Sequence, residues 1–384
     1  MRILTELEES ITLAKEYASN NSLQSPWSQS PEAVENTMKY IFGLSHNCYL
    51  LLSKSGTHEL CKFEFSETAP LLKNHIPQKL NKTIKGKKRK TLLKTLKSKQ
   101  WRVMQCILKP FTKTGGDVLF PKFLEGMKIP DGLYIFSLND AQLLREDGTL
   151  PWHMVSGSSN PFKPPFLPMF AYSGQSGFLD IVIPNYDDID LALHPISPSE
   201  IAWNEKKPIA IFRGGPTGCG LTPKTNMRLK LAQMRSSLLD VGIVENKSGT
   251  LKFDPEDGLG YLETSIKKVS KIDMIGGQDE YKYIVHVDGN VLGYRLLKSM
   301  LTGSLILRVQ SPFVHWLDDK LEAGKHFVAV SPDLSDLEEK VEWCLKNDSK
   351  CQKIAESGKR FAEKYLDLKI QKKFLETEFK NLLK

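Results

Sequence analysis

From Trp101 onward the chain is a succession of short apolar runs cut by glycine and proline, the texture of strands alternating with helices in an α/β protein. Runs at 103–108, 132–138, 180–184, 209–212, 283–287, 303–309 and 326–330 have the length and composition of strands. Helical periodicity marks 226–231, 293–301, 334–345 and 351–366, and a last helical segment reaches Leu383. Five prolines between 151 and 168 (Pro151, Pro161, Pro164, Pro165 and Pro168) exclude regular structure there and predict a long loop. Residues 1–110 read as mostly helical, with Leu7, Ile11, Leu13 and Ala14 on one amphipathic helix, 33–52 as a second, and a polar loop over 20–31 between them.

With 384 residues the chain exceeds one ordinary core and suits two lobes. The expected organisation is a helical, partly basic region at 1–110, a lobe over 111–200 that shares elements with it, a second lobe over 201–365 and a terminal helix over 366–384. The opening Met1-Arg2-Ile3-Leu4-Thr5-Glu6-Leu7-Glu8-Glu9 places acids where a secretory leader needs an apolar core, and no run is apolar enough to span a bilayer. Six cysteines without C-x-x-C spacing indicate reduced thiols, so the expected setting is cytoplasmic.

The net charge of +8 is local. Between Thr68 and Gly116 stand 14 Lys or Arg and no acid, leaving 39 basic against 45 acidic residues elsewhere. This basic segment reads either as a solvated loop and helix face or as a contact for phosphate, anionic lipid or a polyanionic glycan.

Three constellations carry chemistry. Directly after the run 209–212 come Arg213-Gly214-Gly215-Pro216-Thr217-Gly218, where glycines admit an anion close to backbone N–H groups and Arg213 offers a forked donor. It is neither a Walker loop nor a Gly-x-Gly-x-x-Gly fingerprint, and a plain surface loop is the alternative. After the run 283–287 come Asp288-Gly289-Asn290-Val291, then Gly293-Tyr294-Arg295 at a predicted helix start, a second anion site; the alternative pairs Arg295 with a carboxylate. Asp140, past the run 132–138, stands at the carboxyl end of a strand, where it is either a general base or an Asx turn. Asp188 and Asp190 read as a solvated helix start and His286 as a satisfied core histidine. No histidine or cysteine has metal-ligand spacing.

In this order the segments resemble the protein O-glucosyltransferase and fungal capsule-associated protein family, glycosyltransferase family 90. The matching stretches are Ile129-Pro130-Asp131 with Asp140, 178–184, Trp203-Asn204-Glu205-Lys206-Lys207 leading to Phe212-Arg213-Gly214, Asn226-Met227-Arg228, 282–295 with Asp288-Gly289 and Tyr294-Arg295, 301–306 and 326–337. Together they cover roughly 129–365.

The resemblance implies a GT-B architecture of two Rossmann-like lobes, acceptor side first, to which residues 1–110, outside the resemblance, add the expected helical N-terminal extension. It implies a metal-independent, inverting transfer of glucose or xylose from a UDP-sugar to a glycan or protein hydroxyl, without a cofactor. Asp140 corresponds to the base. The family's diphosphate-contacting arginines match Arg213 and Arg295, and with the two turns the expected donor set is Arg213, Gly214, Gly215, Thr217, Arg228, Asp288, Gly289, Asn290, Val291, Tyr294 and Arg295. Family members follow the base with an aromatic residue or Arg and then Pro, whereas this chain has Asp140-Ala141-Gln142. The absence of a leader and of disulfides points to bacterial glycan assembly or viral assembly in host cytoplasm. The competing readings are an inactive sugar-nucleotide or glycan-binding protein, and a nucleic-acid binder using 82–102.

Overall fold

A computed structural model describes residues 32–37, 48–65, 106–110, 118–138, 142, 144–147, 164–218, 220–245, 251–254, 258–262, 266 and 268–382. The predicted helix at 7–14, the basic segment 82–102 and Asp140 itself lie outside them. The chain divides into two compact units: the first runs to Pro184 and includes the stretch from Lys372, and the second is Asn185–Gln371. The division falls at 184/185 where the sequence placed it at 200/201, and the end of the terminal helix belongs to the first unit.

The first unit holds a six-stranded mixed sheet, ordered β3-β2-β1-β4-β5-β7. Its strands are β1 (Cys48–Lys54), β2 (Thr57–Phe65), β3 (Cys106–Pro110), β4 (Gly132–Ser137), β5 (Met169–Ala171) and β7 (Asp180–Val182), with the short β6 (Gly174–Gln175) between the last two in sequence. Of the helix expected over 33–52, the described residues up to 37 are helical, Cys48–Lys54 is a strand, and 38–47 lie outside the described residues. The reason is burial on both faces. Cys48 to Leu52 sit between β2 and β4 and are at most 4% exposed, so the run is apolar throughout and its period says nothing. The missed signal is the link Ser55-Gly56, with φ of 51° and 78°, a two-residue hairpin turn whose twist matches the flanking strands.

The core of this unit is aromatic. Helix α1 (Leu119–Leu124) contributes Phe120, 4.8 Å from the Phe136 ring of β4. Phe136 stacks on Phe170 of β5 at 5.0 Å. Phe379, in the last part of the terminal helix, lies 4.5 Å from Tyr134 and 5.1 Å from Phe170.

The second unit is built on a five-stranded, wholly parallel sheet, ordered β15-β13-β12-β8-β9. Its strands are β8 (Lys207–Gly214), β9 (Leu239–Ile243), β12 (Tyr281–His286), β13 (Leu305–Val309) and β15 (Val328–Val330). β10 (Leu251–Asp254) and β11 (Gly258–Tyr261) form a separate hairpin, and β14 (Phe313–Val314) is a short excursion after β13. The helices are α2 (Tyr186–Leu193), α3 (Met227–Gln233), α4 (Leu296–Met300), α5 (Leu337–Lys346), α6 (Asp348–Tyr365) and α7 (Leu368–Leu382), which continues into the first unit. Helix α6 buries Cys351, Ile354, Ala355, Gly358, Phe361 and Ala362, a stripe at helical spacing. A Cβ at Gly358 would stand 2.7 Å from the His326 carbonyl, so the bare glycine is what lets the helix approach that loop.

The strand order decides where this unit can hold a ligand. From β8 the chain moves outward to β9, then returns to the other side of β8 to lay down β12, β13 and β15 in turn. The direction of winding therefore reverses between β8 and β12, and open parallel sheets bind ligands outside the carboxyl ends of the strands at such a switch point.

Candidate functional site

Both glycine-bearing turns of the sequence leave the sheet at that point, one from β8 and one from β12. Arg228, in the first turn of α3, joins them. Its Nε donates to the carbonyls of Val287 (3.2 Å) and Asp288 (3.0 Å), Nη2 donates to Val287 (2.9 Å), and Nη1 donates to Thr217 Oγ1 (2.6 Å) and the Gly215 carbonyl (3.4 Å). Asn226 caps the helix that carries it, its side-chain oxygen accepting from the N–H groups of Arg228 and Leu229. A second clasp runs the other way, from the Gly218 N–H to Asn290 Oδ1 at 2.9 Å. A Cβ on Gly289 would meet Thr217 Oγ1 at 2.9 Å, so the turns approach this closely only over glycine.

Asp288 fixes the second turn internally. Its carboxylate accepts from the Gly293 N–H at 2.6 Å and from the Ser311 hydroxyl past β13. Burial works to raise its pKa, but the His286 ring and these two donors outweigh it and hold the carboxyl below its ordinary value. His286 itself is buried, and desolvation lowers its pKa against the pull of Asp288. Read from sequence as a satisfied core histidine, it has no hydrogen-bond partner among the described residues, its Nε2 lying 3.6 Å from Asp288 Oδ1.

The arginines part company. The Arg213 side chain, 8% exposed, turns to the neighbouring strand, where Nη2 meets Asp240 Oδ1 at 2.6 Å and Nη1 meets the Asp240 carbonyl at 2.7 Å. Asp240 also accepts from the Tyr281 hydroxyl at 2.8 Å. Arg295 lies over the Phe212 ring at 5.3 Å, with Arg228 at 5.9 Å from the same ring. Adjacent strand residues face opposite sides of a sheet, so Arg213 and Arg295 do not converge as the sequence suggested. The cation beside Arg295 is Arg228.

Among the described residues the Arg295 side chain makes one hydrogen bond, from Nη1 to the Arg213 carbonyl at 2.6 Å. Its Nη2 is closed off from solvent and has no partner among the described residues. Burial lowers the pKa of Arg228 and of Arg295 to about 10, with Arg295 adding to the effect on Arg228, and both remain charged at neutral pH. Asp187 on α2 contributes opposing negative charge to Arg295. Its own pKa is raised by burial and then by Asp188. Two adjacent guanidinium groups, one with a buried donor unspent among the described residues, concentrate positive charge between the turns.

The remaining expectations distribute as follows. Gly214 ends β8, Gly215 gives its carbonyl to Arg228, and Val291 accepts from the Gly289 N–H at 2.8 Å. Helix α4 starts at Leu296, later than expected, with Tyr294 and Arg295 in the turn before it. A five-residue helix lends little dipole, so Arg295 and the turns themselves supply the positive field. Asp188 is no solvated helix start: it is fully buried, accepting from Trp316 Nε1 (2.8 Å), Asn185 Nδ2 (2.8 Å) and His315 Nε2 (3.1 Å). Asp240, Phe212 and Asp187 were missed, because β9 was not recognised and the other two carry no local signal. In the first unit, β4 ends at Ser137 on the way to Asp140, and beyond it Gln142 is buried against Ser173 at 2.7 Å.

No helix among the described residues is long and apolar enough to cross a membrane. The chain is similar to protein 035R of Invertebrate iridescent virus 3, 30% identical over 70% of this chain and 27% of that protein. It is also similar to human protein O-glucosyltransferase 3, 30% identical over 57% of this chain and 42% of that one. The solved structure of Anabaena Alr3699/HepE in complex with UDP-glucose matches over 44% of this chain and 48% of that chain at 17% identity, with a TM-score of 0.30. The chain thus spans about a quarter of its viral relative and under half of its human one. Residues 128–377 match the family model "Glycosyl transferase family 90", and with both turns, both arginines and the switch-point sheet inside that range, the chain belongs to glycosyl transferase family 90.

Proposed function

We propose that this chain moves a sugar from a UDP-sugar to a hydroxyl of a glycan or protein, with the donor diphosphate at the joined turns after β8 and β12. The observation that carries the reading is the Arg295 guanidinium, which presents an unpartnered, solvent-shielded Nη2 beside a second buried cation at the sheet's switch point. A diphosphate supplies the missing acceptor. Charge-assisted hydrogen bonds of this kind also favour the transition state, because negative charge grows on the departing UDP as the glycosidic bond breaks. In this reading no metal or cofactor is required, since Arg295 with Arg228 behind it meets that charge.

Asp140 is the proposed base. It takes the acceptor proton while the hydroxyl oxygen attacks the anomeric carbon from the side opposite UDP, which inverts the centre. Glucose or xylose is the proposed sugar, by likeness to the family, and a cytoplasmic setting is the proposed location.

The test is a thermal-shift screen of the full chain with UDP-, GDP- and dTDP-sugars. A UDP-sugar at a hundred times its Kd should stabilise the fold by about 2.7 kcal/mol, and no stabilisation by any of them overturns the reading. Asp140→Asn should lower turnover by about 100-fold or more while UDP binding persists. Undiminished turnover in that variant moves the base elsewhere.

A further inference from the structure

The brace on the β12 turn ends in a residue that solvent can reach. Asp288, its side chain 9% exposed, accepts from the Gly293 N–H at 2.6 Å on one oxygen and from the Ser311 hydroxyl on the other. Ser311 is exposed, as are Gln310 before it and Pro312 after it, and the three lie between β13 and β14 in neither helix nor strand. Its oxygen also accepts from the Phe313 N–H at 3.2 Å, which holds the hydroxyl at the surface end of the brace. An exposed serine in irregular backbone with proline behind it suits the protein kinases that select proline after the acceptor. Ser197-Pro198, Thr222-Pro223 and Ser331-Pro332 are the other such steps among the described residues, and Ser311 is the one whose hydroxyl bonds a residue of the anion turns.

We infer that Ser311 is a phosphorylation site whose modification releases the β12 turn and shuts off donor binding. The inference rests on the donor reading above and adds its regulation. In the transfer, Ser311 Oγ attacks the γ-phosphorus of ATP, the bond to the departing ADP breaks, and the hydroxyl proton passes to the kinase's base. A donated proton is thereby replaced by a group of charge about −1.5 to −2. It faces Asp288, which is ionised, its carboxyl held below the ordinary pKa. Like charges this close part, and Asp288 leaves the Gly293 N–H. The neighbouring cations offer no harmless refuge. Arg308 on β13 is committed to both oxygens of Asp318, at 2.6 and 3.2 Å, and Arg228 spends its donors on Thr217 and the carbonyls of the turns. Arg295 Nη2 remains, and a phosphate paired there takes the place of the donor's own.

The experiment treats the full chain with ATP and a purified proline-directed protein kinase, locates the phosphate by mass spectrometry, and measures UDP binding by calorimetry before and after. Phosphate should appear on Ser311, and UDP affinity should fall at least about tenfold, the value of one charge-assisted hydrogen bond. The same treatment of Ser311→Ala should leave that variant's UDP affinity where it stood, whatever is added at Ser197. Ser311→Glu, which needs no kinase, should bind UDP more weakly than Ser311→Ala, because both lack the hydroxyl and only one adds the charge. No phosphate on Ser311, an unchanged affinity after its full modification, or equal binding by Ser311→Glu and Ser311→Ala overturns the inference alone. An untreated chain that binds no UDP brings down the donor reading and this inference with it.

Discussion

The turns after β8 and β12 look alike in sequence, each an apolar strand running into glycines with an arginine at hand, yet their arginines have different fates. Arg213 is consumed within the sheet by Asp240 on the adjacent strand. Arg295 has a carbonyl beneath it, another guanidinium beside it and a donor left over. An arginine next to a glycine turn therefore keeps a donor unspent only where the neighbouring strand offers it no carboxylate.

The sharpest way to break this contrast is to remove what joins the turns. Arg228→Met deletes five donated hydrogen bonds and leaves the carbonyls of Val287, Asp288 and Gly215 to find other partners. We expect a loss of about 3 kcal/mol in a denaturant titration together with loss of UDP affinity, since both turns loosen at once. A variant that binds UDP normally would show that the turns are rigid without it.

Next in size is Arg295→Ala. Affinity for UDP should fall about ten- to a hundredfold in calorimetry, the value of a charge-assisted contact, while thermal stability holds or rises as a buried charge is relieved. Gly289→Ala should follow, because its Cβ presses on Thr217 Oγ1. Overpacking of this kind costs about 1–3 kcal/mol, and the melting temperature measures it.

Arg213→Met is the counterpart. Asp240 is 37% exposed and water replaces much of the lost pair, so stability should drop by only about 1 kcal/mol and UDP affinity should not move. An affinity loss as large as that of Arg295→Ala would erase the distinction between the arginines.

Away from the turns, just before β8, Lys206 is a third kind of buried cation, held by the carbonyls of Asp279 and Thr302. Burial lowers its pKa from 10.5 to about 8. Between these values the unfolded chain binds more protons than the folded one, so stability should rise with pH across that window, by at most about 1.4 kcal/mol per pH unit. Lys206→Met should flatten the slope in urea titrations at pH 8 and pH 10.

Much of the second unit was legible because its parallel strands are buried on both faces and read as unbroken apolar runs between glycine turns. The run at 209–212 lies within β8, those at 283–287 and 303–309 overlap β12 and β13 to within two residues, and the helices at 334–345 and 351–366 fall within a few residues of α5 and α6. β9 escaped because Leu239-Asp240-Val241-Gly242-Ile243 contains an acid and a glycine, each explained only by a neighbour. Asp240 serves Arg213, and Gly242 admits Val269, against which a Cβ would collide at 2.5 Å. In the first unit the same apolar continuity misled, since a run such as Cys48 to Leu52 suits a central strand and a buried helix equally well.

What the sequence determined by itself is local: which segments are strands or turns, where backbone can approach an anion, and the family to which the ordered motifs point. What only the tertiary structure decided is the partner of each charge. Arg213, Arg228 and Arg295 are the same side chain with the same local grammar, and they become a strut, a clasp and a ligand contact in waiting according to whether a carboxylate, a set of carbonyls or nothing stands opposite. Those groups lie 27 residues away for Asp240 and about 60 for Val287 and Asp288. Electrostatic pairing depends on distance in space, which no local pattern encodes.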